Sequence, residues 1–320
     1  MLDPAVAEML RVLAAPGAEG PPDVAKARAA AIQTPLRFGG VAEPTGSVRD
    51  HTVFGPGGLI PIRIYTPEST SPLPLCVFAH GGGWVAGSLE SHDKLCRLLA
   101  NRLRMILVAV DYRLAPEHDF PDALEDVEAI WHWCRERSSV AGADRLRYVV
   151  AGDSSGGNLA AALSVRLKRL GQPLPSMQIL LYPALDAHCS SAAYKDFSSG
   201  YNLSASDMQW YWQRYAAGTA LENPELSPLS ASDFAGLPPT VIAVAECDVL
   251  RDDGVEYARR LSAAGVATDL IRCEGMVHGF LRWTGSVPSA MGWIDRVASS
   301  ARRLLPEGKP KPASVRAGQH

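Results

Sequence analysis

The amino-acid sequence predicts an α/β fold, an open sandwich in which a mostly parallel sheet of eight strands is flanked by helices. Short β-branched runs alternate with longer helical segments from about residue 48 to residue 305, which is the pattern of parallel crossover units. The first two runs are joined by Gly-Pro-Gly-Gly, a connection typical of a hairpin, so the sheet is expected to begin antiparallel. The longest apolar runs, such as MILVAV, have the length of a strand.

The individual elements follow from these patterns in chain order. Apolar, β-branched runs bounded by Gly, Pro or polar residues predict strands at 48–54, 60–65, 75–79, 105–111, 148–151, 178–182, 240–245 and 268–273. Helical periodicity predicts the crossover helices at 91–103, 122–137, 155–170, 254–264 and 291–305.

Two segments fall outside the alternation, and both lie where a cap over the sheet would sit. Residues 1–45 are mainly helical, and residues 186–236 contain the aromatic run DMQWYWQRYA. Its aromatic side chains are expected mainly to pack the insertion onto the body, the alternative being that all of them line a ligand pocket: Trp210, Tyr211, Trp212 and Tyr215. We therefore divide the chain into a helical cap segment at 1–45, a main domain at 46–305 with a cap insertion at 186–236, and a polar, flexible tail at 306–320.

Composition and charge exclude several classes of function. Hydrophobic residues at 47% and charged residues at 20% indicate a globular protein with a sizeable core. The net charge of −3 and the absence of basic runs interleaved with aromatics argue against nucleic-acid binding, so a small, neutral ligand is expected. No run reaches the roughly 18 to 20 apolar residues of a membrane span, so a membrane is not an expected partner.

The cysteines and the amino terminus together predict a cytoplasmic protein without a metal. The six cysteines are scattered, with no spacing typical of a zinc site, and are expected to be free thiols in a reducing compartment. Asp3 and Glu8 stand where a secretory signal would carry positive charge, which argues against export.

The segment YVVAGDSSGGNLAAAL joins a strand to a helix through a GxSxG turn with Ser154 at its centre. Small residues tolerate the strained turn that exposes such a serine at the carboxyl end of a sheet, and the following helix directs its first amides toward the same point. The pattern predicts Ser154 as the nucleophile of an acyl-transfer reaction. A glycine-rich turn with a purely structural role is the alternative.

Three consecutive glycines follow the strand at 75–79, in the run HGGGW. Ordering glycine is entropically unfavourable, which makes sense where bare backbone amides must approach a ligand closely. We expect the amides of Gly82 and Gly83, with that of Ser155, to bind an oxyanion, and Gly81 to shape the turn. His80 is expected to hold the loop by hydrogen bonding. A flexible loop is the alternative interpretation.

A serine nucleophile needs a general base, which in turn needs an acid to orient it. Of the eight histidines, only His188, His278 and His320 follow Ser154 in the chain, the order that a strand-turn-helix serine requires. His278 lies just beyond the last predicted strand, at the carboxyl edge, and is the predicted base. His188 precedes the best acid candidate, and His320 ends the predicted flexible tail.

Asp248 is the predicted acid because it lies in the turn just beyond the strand at 240–245, at the same edge of the sheet. Its role is to hold His278 in the correct tautomer and to stabilise the imidazolium. Asp252 and Asp253 are rivals, but they lie nearer the next helix, where a carboxylate is commonly a cap or a first-turn charge. Glu246, at the strand end, is expected to fix the loop.

Taken together, these motifs resemble the hormone-sensitive lipase-like family of esterases, also called bacterial esterase family IV. The resemblance rests on HGGGW, DYRLAPEHDFPDALED, GDSSGG, DVLRDDG and HGF, in this order across most of residues 48–305. It implies an α/β-hydrolase fold with a helical cap, hydrolysis of short- to medium-chain acyl esters by Ser154, Asp248 and His278, and no metal or organic cofactor. Ser155 stands where the family usually has Ala, and Asp119 where it usually has Pro; neither departure removes a catalytic group.

The partner is therefore expected to be a small-molecule ester, contacted by side chains beside these motifs: Trp84, Asp153, Tyr182 and Tyr211. A lactonase, deacetylase, amidase or acyltransferase is the alternative among enzymes. A non-catalytic receptor is the alternative from another class, since plant gibberellin receptors resemble this family but lack the catalytic histidine; the presence of His278 argues against it. A homodimer paired through an exposed last strand is expected only by analogy with family members.

Overall fold

The structure is a computed structural model, and it describes residues 1–13, 23–136, 140 and 142–305. The tail predicted to be flexible, 306–320, lies outside the described residues, and so does His320. In the part of the chain that is described, no helix combines the length and the apolar character needed to cross a membrane.

A single sheet contains eight strands of the described chain: β1 (Ser47–Gly55), β2 (Gly58–Thr66), β3 (Leu73–Ala79), β4 (Ile106–Val110), β5 (Ala143–Asp153), β6 (Met177–Leu181), β7 (Thr240–Cys247) and β8 (Thr268–Val277). The order across the sheet is β1-β2-β4-β3-β5-β6-β7-β8. Strand β2 is antiparallel to both of its neighbours, and every other pair is parallel. The predicted eight-stranded, mostly parallel sheet with an antiparallel start is confirmed.

The helices within the described ranges are α1 (Pro4–Leu13), α2 (Val24–Phe38), α3 (Leu89–Leu103), α4 (Asp122–Glu136), α5 (Ser155–Arg169), α6 (Ala192–Asp196), α7 (Ala205–Ala216), α8 (Arg251–Ala263) and α9 (Ser289–Leu304). Two short 3₁₀ helices occupy Pro228–Ser230 and Phe280–Arg282. Each predicted crossover helix is present, with its ends shifted by a few residues, as is usual for boundaries read from periodicity.

The core lies on both faces of the sheet, as the fully buried sequence of β3 requires. Successive strand residues point to opposite faces. Leu75 and Val77 pack in the layer that contains α4, α5 and α8. Cys76 and Phe78 pack in the layer that contains α3 and α9. The helices on each face bury the sheet and leave its carboxyl edge to carry the loops.

Strand β8 runs past the predicted end at residue 273 and stops at Val277. Its pairing with β7 shifts register between Ala245 and Cys247, and Gly275 has a φ of +72°. This irregularity breaks the alternation of apolar and polar residues, which is why periodicity ended the strand early. Beyond the shift, Cys247 pairs with Val277. The two residues that follow this pair, Asp248 and His278, therefore leave the sheet side by side.

Helices α2 and α7 come from the two segments assigned to a cap, and both are attached to loops at the carboxyl edge. Arg28 of α2 donates to Glu117 at 2.6 Å and to the carbonyl of Val85 at 2.9 Å. On α7, Trp212 and Tyr215 pack on Trp84, with ring centroids 4.3 and 4.4 Å away. The aromatic run thus packs the insertion onto the body as predicted, whereas the division of the chain into cap and main domain stays a prediction.

Candidate active site

Ser154 occupies the sharp turn between β5 and α5, with φ +56° and ψ −121°. This conformation is strained for a residue with a side chain, and it persists because the surroundings enforce it. Gly152 and Gly156 permit the turn, since a Cβ at Gly152 would overlap the carbonyl of Gly156, and a Cβ at Gly156 would overlap that of Ala79. The amide of Ser154 donates to Leu181 at 2.8 Å. The serine hydroxyl is thereby held at the carboxyl edge of the sheet.

The three residues predicted as nucleophile, base and acid form one hydrogen-bonded chain. The Nε2 atom of His278 lies 2.8 Å from Oγ of Ser154, and its Nδ1 atom lies 2.7 Å from Oδ2 of Asp248. Because a carboxylate only accepts hydrogen bonds, Nδ1 carries the proton and Nε2 is left to accept from the serine hydroxyl. Oδ1 of Asp248 accepts the amide of Leu250 at 3.0 Å. This arrangement can take the serine proton as the oxygen attacks a carbonyl.

One backbone amide near the nucleophile makes a structural hydrogen bond, whereas three others are left without an acceptor among the described residues. The amide of Gly81 donates to Oδ1 of Asp153 at 2.8 Å, so it is not available to a ligand. The amides of Gly82, Gly83 and Ser155 have no acceptor within the described part of the chain. Gly82 and Gly83 line the same cavity as Ser154. This geometry supports the predicted roles, in which Gly81 shapes the turn and the other three amides meet an oxyanion.

Asp153 supports the glycine loop, and its predicted contact with substrate stays a prediction. It borders the cavity, but only 1% of its surface is exposed, and its carboxylate accepts the Gly81 amide. Burial alone would raise the pKa of Asp153, but His92 at 3.2 Å, the positive field of Arg282 and the Gly81 amide stabilise the charged form and lower its pKa to about 2. The sequence could not distinguish these roles, because either places a carboxylate beside the nucleophile.

His80 holds the loop from the other side, as predicted. Its Nδ1 atom donates to the carbonyl of Gly81 at 2.9 Å, and its ring stacks on Tyr112 with centroids 4.3 Å apart. Burial, with help from nearby His92, lowers the pKa of His80 to about 3. The ring is therefore neutral at physiological pH and serves as a fixed support.

A cavity of about 480 Å³ opens over the catalytic residues. Its walls are the glycine loop, the 3₁₀ helix that follows His278, and two helical faces: Lys26, Ala27, Ala30, Ala31 and Thr34 of α2, and Asp207, Met208 and Tyr211 of α7. The volume lies within the range of about 300 to 1,000 Å³ typical of small-molecule sites.

The four predicted substrate-contacting side chains differ in position. Tyr211 lines the cavity. Trp84 is fully buried and stacks on Tyr215 with an interplanar angle of 2°, so it anchors α7. Tyr182 is 1% exposed and forms an edge-to-face pair with the imidazole of His278, 5.0 Å between ring centroids. Trp84 and Tyr182 thus lie behind the cavity wall, which corrects their prediction as substrate contacts; packing, invisible in the sequence, decides where each ring goes.

Tyr211 also covers the glycine loop, which yields a prediction for Gly83→Ala. Gly83 has a φ of +61°, and a Cβ built on it would overlap the Tyr211 ring. The substitution is expected to displace the loop and lower kcat by about 10²- to 10³-fold, the loss seen when one oxyanion donor is removed. Steady-state hydrolysis of p-nitrophenyl butyrate measures it, and adding Tyr211→Leu should restore part of the rate by removing the ring. A Gly83→Ala enzyme with wild-type kcat would contradict the assignment.

The rival acids and bases have other partners. Asp252 and Asp253 lie in the first turn of α8, as expected, but neither caps that helix: Asp253 accepts the amides of Leu185 and Asp186, and Asp252 accepts that of Ala193. They fix the segment after β6. His188 lies 3.7 Å from Glu222 and does not line the cavity.

Glu246 fixes the irregular part of β8, as predicted. Its Oε2 atom accepts the amide of Gly275 at 2.7 Å. The bond holds the shifted register that brings His278 beside Asp248.

Sequence reasoning missed several cavity residues. Asn202 and Arg282 line the cavity, as do the small residues of α2. The only signal was their place in the chain: Arg282 comes four residues after the catalytic histidine, and α2 lies in the segment assigned to a cap. Neither signal says that a side chain faces the cavity.

The fold and the site together define the class of protein: an α/β hydrolase with a serine at the strand-to-helix turn. A family model described as the alpha/beta hydrolase fold matches residues 76–282, and the chain belongs to this family. The family recognised from the motifs is thereby confirmed, as is the fold class.

Individual relatives are similar over most of the chain. The carboxylic ester hydrolase LipN of Mycobacterium tuberculosis is 42% identical over 241 residues, which cover 73% of this chain and 64% of LipN, just under two thirds. The ethyl acetate hydrolase of Pseudomonas putida is 37% identical over 254 residues, covering 78% of this chain and 80% of that one. The solved structure of an ester hydrolase from the metagenome of Lake Arreo has a TM-score of 0.89 and 36% identity, covering 94% of this chain and 98% of that one.

Proposed function

We propose that this protein is a serine carboxylesterase that hydrolyses short- to medium-chain acyl esters through an acyl-enzyme intermediate. The observation that carries the proposal is the hydrogen-bonded chain from Ser154 through His278 to Asp248 in the wall of a small-molecule cavity. The names of the relatives, a carboxylic ester hydrolase and an ethyl acetate hydrolase, support the same class of reaction.

In the first half of the reaction the ester is cleaved and the enzyme is acylated. The Nε2 atom of His278 takes the proton of Ser154 as Oγ attacks the ester carbonyl. The carbonyl oxygen becomes an oxyanion that accepts the amides of Gly82, Gly83 and Ser155. The imidazolium then gives its proton to the alkoxy oxygen, the carbon–oxygen bond breaks, and the alcohol leaves. Asp248 stabilises the imidazolium through Nδ1 without taking its proton.

In the second half, water replaces the alcohol. His278, neutral again, takes a proton from the water as its oxygen attacks the acyl carbonyl. The same amides hold the second oxyanion, and the imidazolium returns its proton to Oγ of Ser154 as the acid is released. Both halves use one base and one set of donors, so no further catalytic group is required.

The size of the cavity supports the substrate range. About 480 Å³ accommodates a small ester, and the α2 wall consists largely of small side chains at Ala27, Ala30 and Ala31. The aromatic Tyr211 of α7 forms another part of the wall. A chain of many methylenes would extend past these walls into water and lose the benefit of apolar burial.

The test is a panel of p-nitrophenyl esters from acetate to palmitate, with labelling by a fluorophosphonate probe. We expect kcat/KM to be highest for short to medium acyl chains and to fall steeply beyond them, with the probe attached to Ser154. A rate that keeps rising to palmitate would indicate a lipase. Faster turnover of lactones, acetylated amines or amides, or transfer to added alcohols in place of hydrolysis, would replace the proposal by the corresponding alternative. A folded protein that neither reacts with the probe nor turns over any ester would refute it.

Location and assembly belong to the proposal as well. All six cysteines are free, and five of them are buried, which supports a reducing compartment such as the cytoplasm. Strand β8 lies at one edge of the sheet, so the predicted homodimer would pair this edge in two copies. Residues of the amino terminus contact that edge near its end, where the amide of Asp3 donates to Gly275.

A further inference from the structure

Arg282 is a cation in the wall of the catalytic cavity, and it has no carboxylate partner in the part of the chain that the structure describes. It lies on the 3₁₀ helix Phe280–Arg282, four residues after His278, and it lines the cavity with Ser154. Its Nε atom is buried, and the described residues provide it with no hydrogen-bond acceptor and place no carboxylate within ion-pairing distance of the guanidinium. Arg282 as a whole is only half-buried, so water in the cavity can solvate its outer nitrogens, but its buried Nε–H has no acceptor among the described residues and the guanidinium is available to bind an anion.

The described carboxylates that line the cavity each accept at least one backbone amide. Asp23 accepts the amides of Ala25 and Lys26 at the start of α2. Asp207 accepts the amide of Ser204 at the start of α7. Asp153 accepts the Gly81 amide beneath the glycine loop, and Arg282 affects it only through its longer-range field. The other cation in the wall, Lys26, is exposed and belongs to the cavity rim. Each of these three carboxylates accepts at least one backbone amide but keeps its negative charge, so the wall as a whole has no excess of positive charge. What favours an anion is the local arrangement of donors at Arg282.

Arg282 has a second donor beside it. The Cβ position of Gly279 lies 3.3 Å from Nη2 of Arg282 and 3.9 Å from Nδ2 of Asn202, so both donors surround the residue that follows His278. Nδ2 of Asn202 uses one proton for the carbonyl of His278 at 3.0 Å, and its amide group has another to give. A planar guanidinium beside an amide donor suits a carboxylate, which can accept two parallel hydrogen bonds.

We propose that Arg282, assisted by Asn202, binds a carboxylate group of the substrate, so that the enzyme favours esters whose acyl or alcohol part carries a free carboxylate over neutral esters of the same size. This inference rests on the proposed ester hydrolysis and names its substrate class. It replaces the neutral ligand expected from the net charge, because the charge of a whole chain says little about one cavity wall.

The test compares acids with their primary amides, which match them in size but are neutral. On the acyl side the pair is ethyl hydrogen adipate and ethyl adipamate; on the alcohol side it is O-acetyl-lactate and its primary amide. The ratio of kcat/KM for acid over amide is measured for the full-length wild type and for Arg282→Gln. We expect Arg282→Gln to lower this ratio about 10- to 100-fold for at least one pair, mainly through KM, as loss of a charge-assisted hydrogen bond predicts.

Arg272→Gln is the matched control. Arg272 is exposed on β8, outside the cavity, and its replacement removes the same charge. The acid-to-amide ratio of this variant should equal that of the wild type. If Arg282→Gln does not fold, Arg282→Lys is the second variant, because it keeps the positive charge but loses the planar pair of N–H donors. The acid-to-amide ratio of kcat/KM should still fall in Arg282→Lys, by a smaller factor. The wild-type ratio should also decrease with added salt.

An unchanged acid-to-amide ratio in folded Arg282→Gln would overturn the inference. If both rates fell by the same factor, Arg282 would be a structural support for the field around Asp153; if neither fell, it would have no role in the reaction. In both cases the amide esters are still hydrolysed by the wild type, and the proposed esterase activity stands. If the wild type hydrolyses none of the neutral esters, the proposed function itself fails and the inference falls with it.

Discussion

Replacing Ser154 by alanine is expected to lower kcat for p-nitrophenyl butyrate by at least about 10⁴-fold while leaving the fold intact. The hydroxyl is the only atom that the proposal uses to form the acyl-enzyme, and His278 lies 2.8 Å from it. Without it, the amides and the imidazole still bind the ester, so residual catalysis should be small and KM little changed. The measurement is steady-state hydrolysis, combined with the thermal unfolding midpoint.

Ser164→Ala is the matched control for this variant. Ser164 lies on the same helix as Ser155, is buried, and donates to the carbonyl of Ala160 at 3.1 Å. Its loss removes a hydroxyl of the same kind away from the cavity, and the rate should stay near that of the wild type. A folded Ser154→Ala enzyme with the wild-type kcat would require another nucleophile and would refute the proposed mechanism.

Replacing Asp248 by asparagine is expected to lower kcat about 10⁴-fold through the tautomer of His278. The carboxylate now accepts from Nδ1 at 2.7 Å. An amide group that presents its NH₂ to Nδ1 makes this nitrogen an acceptor and moves the ring proton to Nε2, which can then no longer receive the proton of Ser154. The geometry is preserved and the base is lost, so kcat should fall far more than substrate binding. Steady-state kinetics at neutral pH separates the two effects.

Asp252→Asn is the control, because it makes the same chemical change at the nearby rival carboxylate. Asp252 accepts the amide of Ala193 and pairs with Arg251, away from the imidazole. Its replacement should alter stability more than kcat. If Asp252→Asn proved the more damaging to kcat and Asp248→Asn kept nearly full activity, the assignment of the acid would be wrong.

Much of the fold could be predicted because its signals are local. The apolar run LPLCVFA and the similar apolar runs predict buried parallel strands, and the Gly-Pro-Gly-Gly connection predicts the hairpin before them. Strand β8 shows the limit: periodicity stops near Cys273, yet the strand continues to Val277 after a register shift. That continuation depends on bonds across the sheet, such as Glu246 to Gly275, which no local pattern encodes.

The candidate site was likewise predictable where its signals are local, and unpredictable where they depend on packing. Ser154, Asp248 and His278 could be proposed because each lies a few residues beyond the end of a predicted strand, and the carboxyl ends of parallel strands meet at one edge. The roles of the neighbouring side chains could not be predicted from the sequence. Trp84 and Tyr182 stand beside motifs in the sequence but lie behind the cavity wall, while Asp153 supports the glycine loop. These outcomes depend on which side chains fill the space around each residue.

By itself, the sequence determined the α/β class, the nucleophile turn, the glycine loop and the order of the catalytic residues, since these depend on periodicity, on residue type and on position after a strand. Only the tertiary structure decided which amides remain free, which aromatic rings face the ester, and that Arg282 lies in the cavity wall without a carboxylate partner among the described residues. The physical reason is that hydrogen-bond partners and burial are properties of pairs of residues distant in the chain, such as Gly81 with Asp153, and they exist only once the chain has packed.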